Sequence, residues 1–318
     1  MSSPRVSIIV PLYNKGPYVL RSLRSIAAQT MADFEAIVVD DGSRDDSAEI
    51  AAGFIAADSR FRLIRQANAG PGAARNRGLA EATADYCAFL DADDEWLPTH
   101  LENGVGVLDT TDAAAVSTSV INMPVPGSNE PLWRGRGLSD GPFRVGPQTP
   151  PIMLVYAVSF MHPCSTVART SAVRRHGGFY EKRCLYAEDA HMWLRLLLSE
   201  PVYFSMAPRV HIWRDAAALS GNLRGMRPVE PFLQHPEDIE AHCPAALRPV
   251  LASFFAIRAF KTACLFGLHG QWREASALRR RFAVPGCWRM PMHAAALAVS
   301  NPLGSMVAGW TRRLWRTY

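Results

Sequence analysis

The chain has 318 residues, 48% of them apolar, and a formal net charge of +5. This composition excludes a disordered or fibrous protein and allows one large core or two modest ones. The six cysteines lie at least 20 residues apart, which excludes the paired spacing of zinc and redox sites and predicts reduced thiols. No uninterrupted apolar run reaches the length of a membrane span, and the first one, Val6–Val10, is too short for a signal peptide. We therefore expect a cytoplasmic protein.

Short apolar runs alternate with helix-like segments over the first 120 residues, a pattern typical of β-α units. The five runs are Val6–Val10, Phe34–Val39, Phe61–Ile64, Tyr86–Leu90 and Ala114–Val120. Their nearly continuous apolar character favours strands covered by helices on both faces, so we predict an α/β fold with a mostly parallel sheet. Ligands of such sheets bind at the carboxyl ends of the strands.

Polar residues follow the first two predicted strands. The segment Pro11-Leu12-Tyr13-Asn14 comes after the first strand, and Asp40-Asp41-Gly42-Ser43 comes after the second. We expect one of the two acids to cap the turn and the other to be free. A free carboxylate can accept hydrogen bonds from a nucleobase N–H or from ribose hydroxyls, and Tyr13 offers an aromatic face nearby. Both segments are consistent with a nucleoside site.

The third predicted strand is followed by a glycine-rich turn, Asn68–Gly72, and then by a helix that carries Arg75 and Arg77. A glycine-rich turn alone is weak evidence of a ligand site, and arginines on a helix surface are usually solvated.

The fourth predicted strand ends at four carboxylates in five positions, Asp91, Asp93, Asp94 and Glu95. The side-chain period of two in a strand would point Asp91 and Asp93 to the same side, where both could bind one divalent ion. Hard oxygen ligands favour Mg²⁺ or Mn²⁺, whose open positions are commonly filled by substrate phosphates. The alternative is a solvated turn that caps a helix starting near Pro98.

The second half of the chain is less regular. From Ile121 to Pro151 there are seven prolines and five glycines in 31 residues, so we expect little regular structure over most of that span. A helix is predicted over Glu188–Ser199, and strands are predicted over Val202–Met206 and Val210–Trp213.

The four segments that follow the predicted strands resemble, in order and spacing, the motifs of family 2 glycosyltransferases with the GT-A fold. The resemblance covers about residues 5–220. It implies a nucleotide-sugar donor bound by Pro11, Tyr13, Asp41, Arg75, Asp91 and Ala92. It also implies that Asp93 holds Mn²⁺ or Mg²⁺ on the donor diphosphate. We expect Trp96, together with the Ile121–Pro151 segment, to shape the acceptor side and the choice of donor.

The resemblance extends to Tyr186-Ala187-Glu188-Asp189, which is similar to the Glu-Asp pair of the family. It implies that Glu188 and Asp189 are catalytic. Asp189 would be the general base that removes the acceptor proton, giving a single displacement with inversion. The alternative is that both acids only stabilise the start of a helix.

Two departures from the family pattern affect the metal and the product. Members often carry a histidine two residues after an aromatic-Arg pair, but Trp213-Arg214 is followed by Ala216 at that position. His211 is the substitute candidate, with a structural histidine as the alternative. The Gln-x-x-Arg-Trp segment of processive relatives is missing after Asp189, so we expect one sugar to be added per encounter.

Three regions are predicted. Residues 1–120 form the nucleotide-sugar-binding half of the GT-A domain, residues 121–228 form its acceptor and catalytic half, and residues 229–318 form a C-terminal helical extension. From Arg258 onward the chain has ten basic residues and one acid. Its last helix is amphipathic, with Leu303, Met306, Val307, Trp310 and Leu314 on one face and Arg312, Arg313 and Arg316 away from it.

Residues 300–318 could therefore lie on an anionic membrane, which would make the protein peripheral on the inner face of the plasma membrane. The alternative is a helix packed on the catalytic domain. We expect no nucleic-acid partner, because the basic region carries no recognised motif.

The function predicted from these observations is an inverting, metal-dependent and non-processive glycosyltransferase. It would move one sugar from a nucleotide diphosphate sugar, which we expect to be a UDP-sugar, to a glycan or lipid-linked glycan in bacterial surface polysaccharide synthesis. The alternatives are a non-catalytic GT-A-like membrane scaffold and a nucleotidyltransferase. The missing glycine-rich, lysine-bearing loop near the N-terminus argues against the nucleotidyltransferase.

Overall fold

The computed structural model of the protein describes residues 3–182, 184, 186–214 and 227–315. The chain divides into two compact units. Unit 1 comprises Met1–Val145 and Tyr156–Gly221, and unit 2 comprises Gly146–Val155 and Asn222–Tyr318.

Unit 1 contains a sheet of ten strands among the described residues. The strands are β1 Val6–Leu12, β2 Phe34–Asp40, β3 Phe61–Arg65, β4 Tyr86–Phe89, β5 Glu95–Trp96, β6 Ala115–Met123, β7 Gly127–Ser128, β8 Gly141–Phe143, β9 Thr166–Arg169 and β10 Val202–Trp213. Their order is β3-β2-β1-β4-β9-β6-β10-β5, with β7 paired to β6 and β8 paired to β10. The first four strands are parallel, as are β6 and β10, whereas β9 is antiparallel to both of its neighbours. The prediction of an α/β fold with a mostly parallel sheet is confirmed.

The first eight helices in the described part of the chain are α1 Gly16–Ala27, α2 Ser47–Ile55, α3 Pro71–Glu81, α4 His100–Thr110, α5 Glu130–Gly135, α6 Pro151–Phe160, α7 Thr170–Arg175 and α8 Glu188–Leu197. Those of unit 2 are α9 Pro231–Gln234, α10 Glu237–Glu240, α11 Arg248–Leu268, α12 Trp272–Arg281, α13 Pro291–Val299 and α14 Pro302–Trp315. Single 3₁₀ turns occur at Pro163–Ser165, Ala245–Leu247 and Cys287–Arg289.

The sheet is buried on both faces, as its apolar strands require. Alternate residues of β1 and β2, such as Ile8 and Val38, pack into one cluster with the apolar face of α1. The intervening residues of β2, such as Ile37, pack with Ala74 of α3 on the other face. Helix α3 approaches β1 closely at Gly78, where an added Cβ would overlap the Ile9 side chain. Helices on both faces leave the strand ends as the place for a ligand.

The prediction of an irregular segment over Ile121–Pro151 is wrong for about half of that span. The end of β6, the strands β7 and β8, and helix α5 all lie within it. β7 pairs back onto β6, and Trp133 of α5 is buried with its ring 5.7 Å from that of Phe160. A buried aromatic ring stabilises a short helix that local sequence does not favour.

The two strands predicted over 202–206 and 210–213 are one strand, β10. Its register with β6 shifts between Ser205 and Val210. Pro208 lies in this interval and has no backbone N–H, so it cannot donate to the ladder. The interval between the two predicted strands therefore corresponds to a break in the hydrogen-bond ladder within one strand.

Unit 2 has a helical core built on α11. Phe232, Phe254 and Phe255 pack together, and the ring centroids of Phe232 and Phe254 are 5.5 Å apart. Glu230 is buried and accepts hydrogen bonds from Arg258 at 2.8 Å and from Thr262 at 3.1 Å. The charge of each member of this buried pair is compensated within the unit.

One segment of unit 2, Ala245–Leu268, is long and apolar enough to cross a membrane, with a mean hydropathy of 1.5. The sequence prediction did not include this segment, because its apolar residues are interrupted. In the structure 67% of its most apolar 18-residue stretch is buried, as in a core helix of a soluble protein. Length and apolar composition therefore do not by themselves identify a membrane span here.

Candidate active site

The register of the parallel strands brings three of the predicted segments to one edge of the sheet. Leu12 at the end of β1 is paired with Asp40 at the end of β2, and Ile9 of β1 is paired with Phe89 at the end of β4. The residues that follow these strands therefore emerge side by side. They include Tyr13, Asp41 and Asp91.

The acidic segment forms a turn, because β4 ends at Phe89 and the Asp94 N–H donates to the Asp91 carbonyl at 3.0 Å. Helix α1 fixes this turn from one side, where the Ser22 hydroxyl donates to the Asp94 carbonyl at 2.6 Å. Strand β10 fixes it from the other, where the Trp213 N–H donates to the Asp94 carboxylate at 3.1 Å. Asp91 and Asp93 therefore lie in a turn beyond the end of β4, where strand alternation does not apply.

The alternative of a solvated turn is also wrong, because Asp93 and Asp94 are buried. Burial, and then the charge of Asp91, raises the pKa of Asp93. Burial, followed by the charges of Asp91 and Asp93, raises the pKa of Asp94 well above its usual value. Neighbouring carboxylates whose charges raise the pKa of Asp93 and Asp94 form a site with excess negative charge, which a cation stabilises.

A lysine that the sequence analysis did not single out contacts this acidic turn. The Lys15 ammonium donates to the Asp93 carboxylate at 2.5 Å, and both side chains are largely buried. Lys15 immediately precedes α1 and follows Tyr13 by two residues. Lys15 lies between a strand end and a helix start, at the edge where ligands of such sheets bind. That position in the sequence could have indicated a role for Lys15 in the site.

The acidic turn fits a hard divalent cation by the chemistry of its donors, which are carboxylate oxygens carrying excess charge. Across the described residues, no group of three or more His, Cys, Asp and Glu side chains is arranged to hold a metal. A cation here would therefore depend on one or two carboxylates, Asp93 and Asp91, and on oxygens of the donor diphosphate.

The structure does not place His211 with these carboxylates. His211 of β10 is paired with Glu95 of β5, and its Nδ1 lies 3.3 Å from the Glu95 carboxylate. Cross-strand pairing sets His211 against Glu95, and its role as a metal ligand remains a prediction. Ala216, the position at which the family carries its histidine, lies outside the described residues.

Arg75 joins the acidic turn to the start of α8. Its two terminal nitrogens donate to Asp91 and to Glu188, each at 2.7 Å. Although burial disfavours the charge, the two carboxylates together raise the pKa of Arg75. The alternative of a solvated arginine is wrong for Arg75, which is 4% exposed, whereas Arg77 is exposed and pairs with Glu81 on the same helix. Arg75 is thus a bridge between two carboxylates that are 97 positions apart in the sequence.

Asp189 lies next to Glu188 at the start of α8 and within electrostatic reach of Asp91. Burial raises the pKa of Asp189, Arg75 lowers it and Asp91 adds to the increase. Ala187, just before the helix, has a φ of 62°, a left-handed conformation that is strained for a residue with a side chain. Strained residues of this kind are concentrated at functional sites. Asp189 is therefore a half-buried carboxylate with increased basicity near Asp91.

Asp41 is not free, in contrast to the prediction. Asp40 caps the turn by accepting from the Ser43 N–H at 3.0 Å, as predicted for one of the two acids. The Asp41 carboxylate accepts hydrogen bonds from the Gln66 and Asn68 side chains and from the N–H groups of Ala69 and Gly70. These four bonds use the acceptor capacity of the carboxylate. Asp41 holds the loop that leads into α3, and its contact with a base remains a prediction.

Three other predicted residues lie at or near this edge. Pro11 and Tyr13 are half-buried at the end of β1, and Ala92 is buried within the acidic turn. Their contact with a donor remains a prediction.

The assignment of Trp96 to the acceptor side is wrong. Trp96 is 2% exposed and belongs to the main core cluster of unit 1. Its indole N–H donates to the Cys164 carbonyl at 2.6 Å, and its ring stacks on that of His100 at 4.5 Å. A side chain enclosed in this way supports the acidic turn from within and cannot contact an acceptor.

Comparisons with known sequences place this site in a family. Residues 7–177, more than half of the chain, match the family model described as Glycosyl transferase family 2. The uncharacterized glycosyltransferase YibD of Escherichia coli is 46% identical over 101 residues, which are 32% of this chain and 29% of that protein. The succinoglycan biosynthesis protein ExoW of Rhizobium meliloti is 41% identical over 120 residues, which are 36% of this chain and 38% of that protein. The chain spans about a third of the length of these curated relatives.

Solved structures support the fold. TarS of S. aureus, residues 1–349 in complex with UDP-GlcNAc, aligns with a TM-score of 0.65 at 18% identity and covers 93% of this chain and 90% of that one. The mannosyltransferase PcManGT of Pyrobaculum calidifontis, in complex with GDP-Man and Mn²⁺, aligns with a TM-score of 0.55 at 19% identity and covers 100% and 89%. The chain belongs to glycosyltransferase family 2, and it has the GT-A fold.

Proposed function

We propose that this protein is an inverting, metal-dependent glycosyltransferase of the cytoplasm. It moves one sugar from a UDP-sugar to a glycan or a lipid-linked glycan in the synthesis of a surface polysaccharide. The observation that carries the proposal is the bridge by Arg75 between Asp91 and Glu188, with Asp189 beside it. This bridge brings acids of the donor side and acids of α8 into one charged network.

The network suits a single displacement at the anomeric carbon. The acceptor oxygen forms a bond to that carbon while the bond to the diphosphate oxygen breaks, and the electron pair leaves with the nucleoside diphosphate. Asp189 takes the acceptor proton, a role that its raised pKa favours because a stronger base removes a hydroxyl proton more readily. Glu188 holds Arg75, and Arg75 holds Asp91 toward the donor.

A divalent cation bound at Asp93 would neutralise charge that develops on the leaving diphosphate. Asp93 and Asp91 are the residues that would hold it. Support for this assignment comes from the excess negative charge of the acidic turn and from the Mn²⁺ complex of PcManGT. Lys15 occupies one oxygen of Asp93 and carries a charge of the same sign as the metal.

The named ligands and functions of the similar proteins support the choice of donor and product. The TarS structures contain UDP and UDP-GlcNAc, and the PcManGT structure contains GDP-Man. ExoW is named for succinoglycan biosynthesis. For this chain we therefore propose a nucleoside diphosphate sugar as the donor and a polysaccharide as the product.

The proposal is tested by incubating the full chain with a panel of UDP- and GDP-sugars, with Mn²⁺ and with EDTA, and by measuring release of the nucleoside diphosphate. We expect release with at least one UDP-sugar that depends on Mn²⁺. Release of pyrophosphate from a nucleoside triphosphate and a sugar phosphate would instead identify a nucleotidyltransferase. Donor binding without any release, in the presence of bacterial glycan and lipid-linked acceptors, would identify a non-catalytic scaffold.

Two substitutions at the ion pair between Lys15 and Asp93 should change Mn²⁺ affinity in opposite directions. Asp93→Asn removes a ligand charge and should weaken Mn²⁺ binding in the presence of UDP. Lys15→Met removes a competing cation and should strengthen Mn²⁺ binding by about ten- to a hundredfold, since a charge-assisted hydrogen bond contributes about 1.5–3 kcal/mol. Isothermal titration measures both constants without turnover. Weaker binding in Lys15→Met would contradict the assignment of Asp93 as the residue that holds the metal.

A further inference from the structure

Helix α14 of unit 2 packs through its small residues. Ser305 is buried, and its hydroxyl donates to the Gly267 carbonyl of α11 at 2.5 Å. Gly304 lies so close to α13 that an added Cβ would overlap the Ala298 backbone. Small residues on this face allow the helix backbones to approach one another closely.

The large apolar residues of α14 face away from this contact. Leu303 is 71% exposed, Met306 is 56% exposed and Val307 is 59% exposed. In a helix packed on a water-soluble core the arrangement is the reverse, with large apolar side chains inside and small or polar ones outside. These three side chains are therefore not part of the apolar core that α14 contacts in unit 2.

Exposed apolar side chains also occur on the two elements that precede α14. Leu297 of α13 is 50% exposed and Trp288 of the preceding 3₁₀ turn is 68% exposed. Eight large apolar side chains are exposed in the described part of the chain, and five of them lie between residues 288 and 307. We call these five residues the apolar surface: Trp288, Leu297, Leu303, Met306 and Val307. Such a concentration marks an interaction site.

The charge near the apolar surface indicates its partner. From residue 269 to the C-terminus the chain has eight arginines and a single acid, Glu274. Arg280, Arg281 and Arg289 are exposed, and the Arg289 guanidinium lies 4.8 Å from the centre of the Trp288 ring. A second copy of this chain would bring like charges together, whereas an anionic lipid surface offers both opposite charge and an apolar interior.

We propose that the apolar surface of unit 2 binds an anionic membrane. The helices α13 and α14 lie in the headgroup region, with Leu297, Leu303, Met306 and Val307 inserted among the acyl chains. Trp288 and Arg289 lie at the boundary, where an aromatic ring and a guanidinium are both accommodated. This inference rests on unit 2 alone and is independent of the activity proposed for unit 1. The side chains of Trp310, Arg312, Arg313 and Leu314, and residue Arg316, lie outside the described part of the chain.

Co-sedimentation of the full chain with vesicles tests the proposal. We expect binding to vesicles of phosphatidylcholine with phosphatidylglycerol, little binding to phosphatidylcholine alone, and weaker binding as salt is raised. The triple variant Leu303→Ser, Met306→Ser, Val307→Ser should partition about tenfold less, because binding strength scales with the apolar area that is buried. All three side chains are exposed, so the variant should keep its fold, which circular dichroism checks.

The matched control is the double variant Val125→Ser, Leu132→Ser, which removes two exposed apolar side chains from unit 1. It should sediment with anionic vesicles as the unaltered chain does. Equal binding by the triple variant, or no binding by the unaltered chain, overturns the proposal. Sedimentation velocity gives a further outcome: a dimer that the triple variant abolishes would assign the apolar surface to self-association and would also overturn it.

Discussion

Replacing Asp189 by asparagine should lower kcat by ~10²–10⁴-fold, the usual contribution of a general base. The amide keeps the size and the hydrogen-bonding oxygen of the side chain, which accepts from the Ala190 N–H at 2.8 Å, so the start of α8 should be retained. Donor binding should change little, because the acidic turn and Lys15 are intact. Transfer rates measured with a saturating UDP-sugar, together with donor affinity from titration, separate the two effects.

The matched control is Glu49→Gln, which alters another acid in the first turn of a unit 1 helix, α2. Glu49 is exposed and pairs only loosely with Arg65, at 3.4 Å. If Asp189 acted only by stabilising a helix start, the two variants would lose similar small amounts of stability and neither would lose transfer. A rate in Asp189→Asn close to that of the unaltered enzyme would exclude Asp189 as the base.

The pH profile gives an independent check on the same residue. A general base must be deprotonated, so activity falls as the pH drops through its pKa. Because burial raises the pKa of Asp189, the acid limb of kcat should lie above the usual aspartate value of about 3.9. Glu188 is buried beside it with a raised pKa as well, so the limb reports the pair. The limb should be lost from the residual rate of Asp189→Asn.

The sequence was sufficient to predict the sheet, because five apolar runs separated by helix-like segments leave few alternatives for a strand. It was also sufficient to place Asp91 and Asp41 at strand ends. The partners of these side chains could not be predicted. Arg75 lies on a helix with Arg77, and only the packing of α3 against β1 and α8 makes one of them buried and the other exposed. The local sequence pattern therefore cannot predict which of the two arginines is buried.

The errors have the same origin. Trp96 follows a cluster of acids, a sequence context typical of a surface segment. Its strand pairs with β10, however, and this pairing directs the Trp96 side chain into the core. Lys15 was missed because a lysine before a helix is common on protein surfaces, and its contact with Asp93 joins residues 78 positions apart. Long-range contacts thus decide the site, while the short-range pattern decides the fold.

Arg75→Met should destabilise unit 1 by about 3–5 kcal/mol, the cost of removing one partner from a buried ionic group. Both Glu188 and Asp91 would lose their only cationic hydrogen-bond donor in the described contacts. The penalty should be full where Glu188 is ionised and should shrink as the pH falls and Glu188, whose pKa is raised by burial, takes up a proton. Urea unfolding at neutral and at mildly acidic pH measures both quantities. Transfer should also fall, since Asp91 is no longer held.

Arg75→Lys and the double variant Arg75→Met, Glu188→Gln separate charge from geometry. Lysine keeps the charge but cannot donate to two carboxylates in a fixed fork, so it should recover part of the stability and little of the transfer. The double variant removes the buried carboxylate that the methionine leaves unpaired, so it should be more stable than Arg75→Met alone. If it is not, Arg75 contributes through packing against Phe179, 5.2 Å from its guanidinium, and not through the bridge. Recovery of stability without recovery of transfer would show that the bridge serves to hold the acids of the donor side and of α8 in one arrangement.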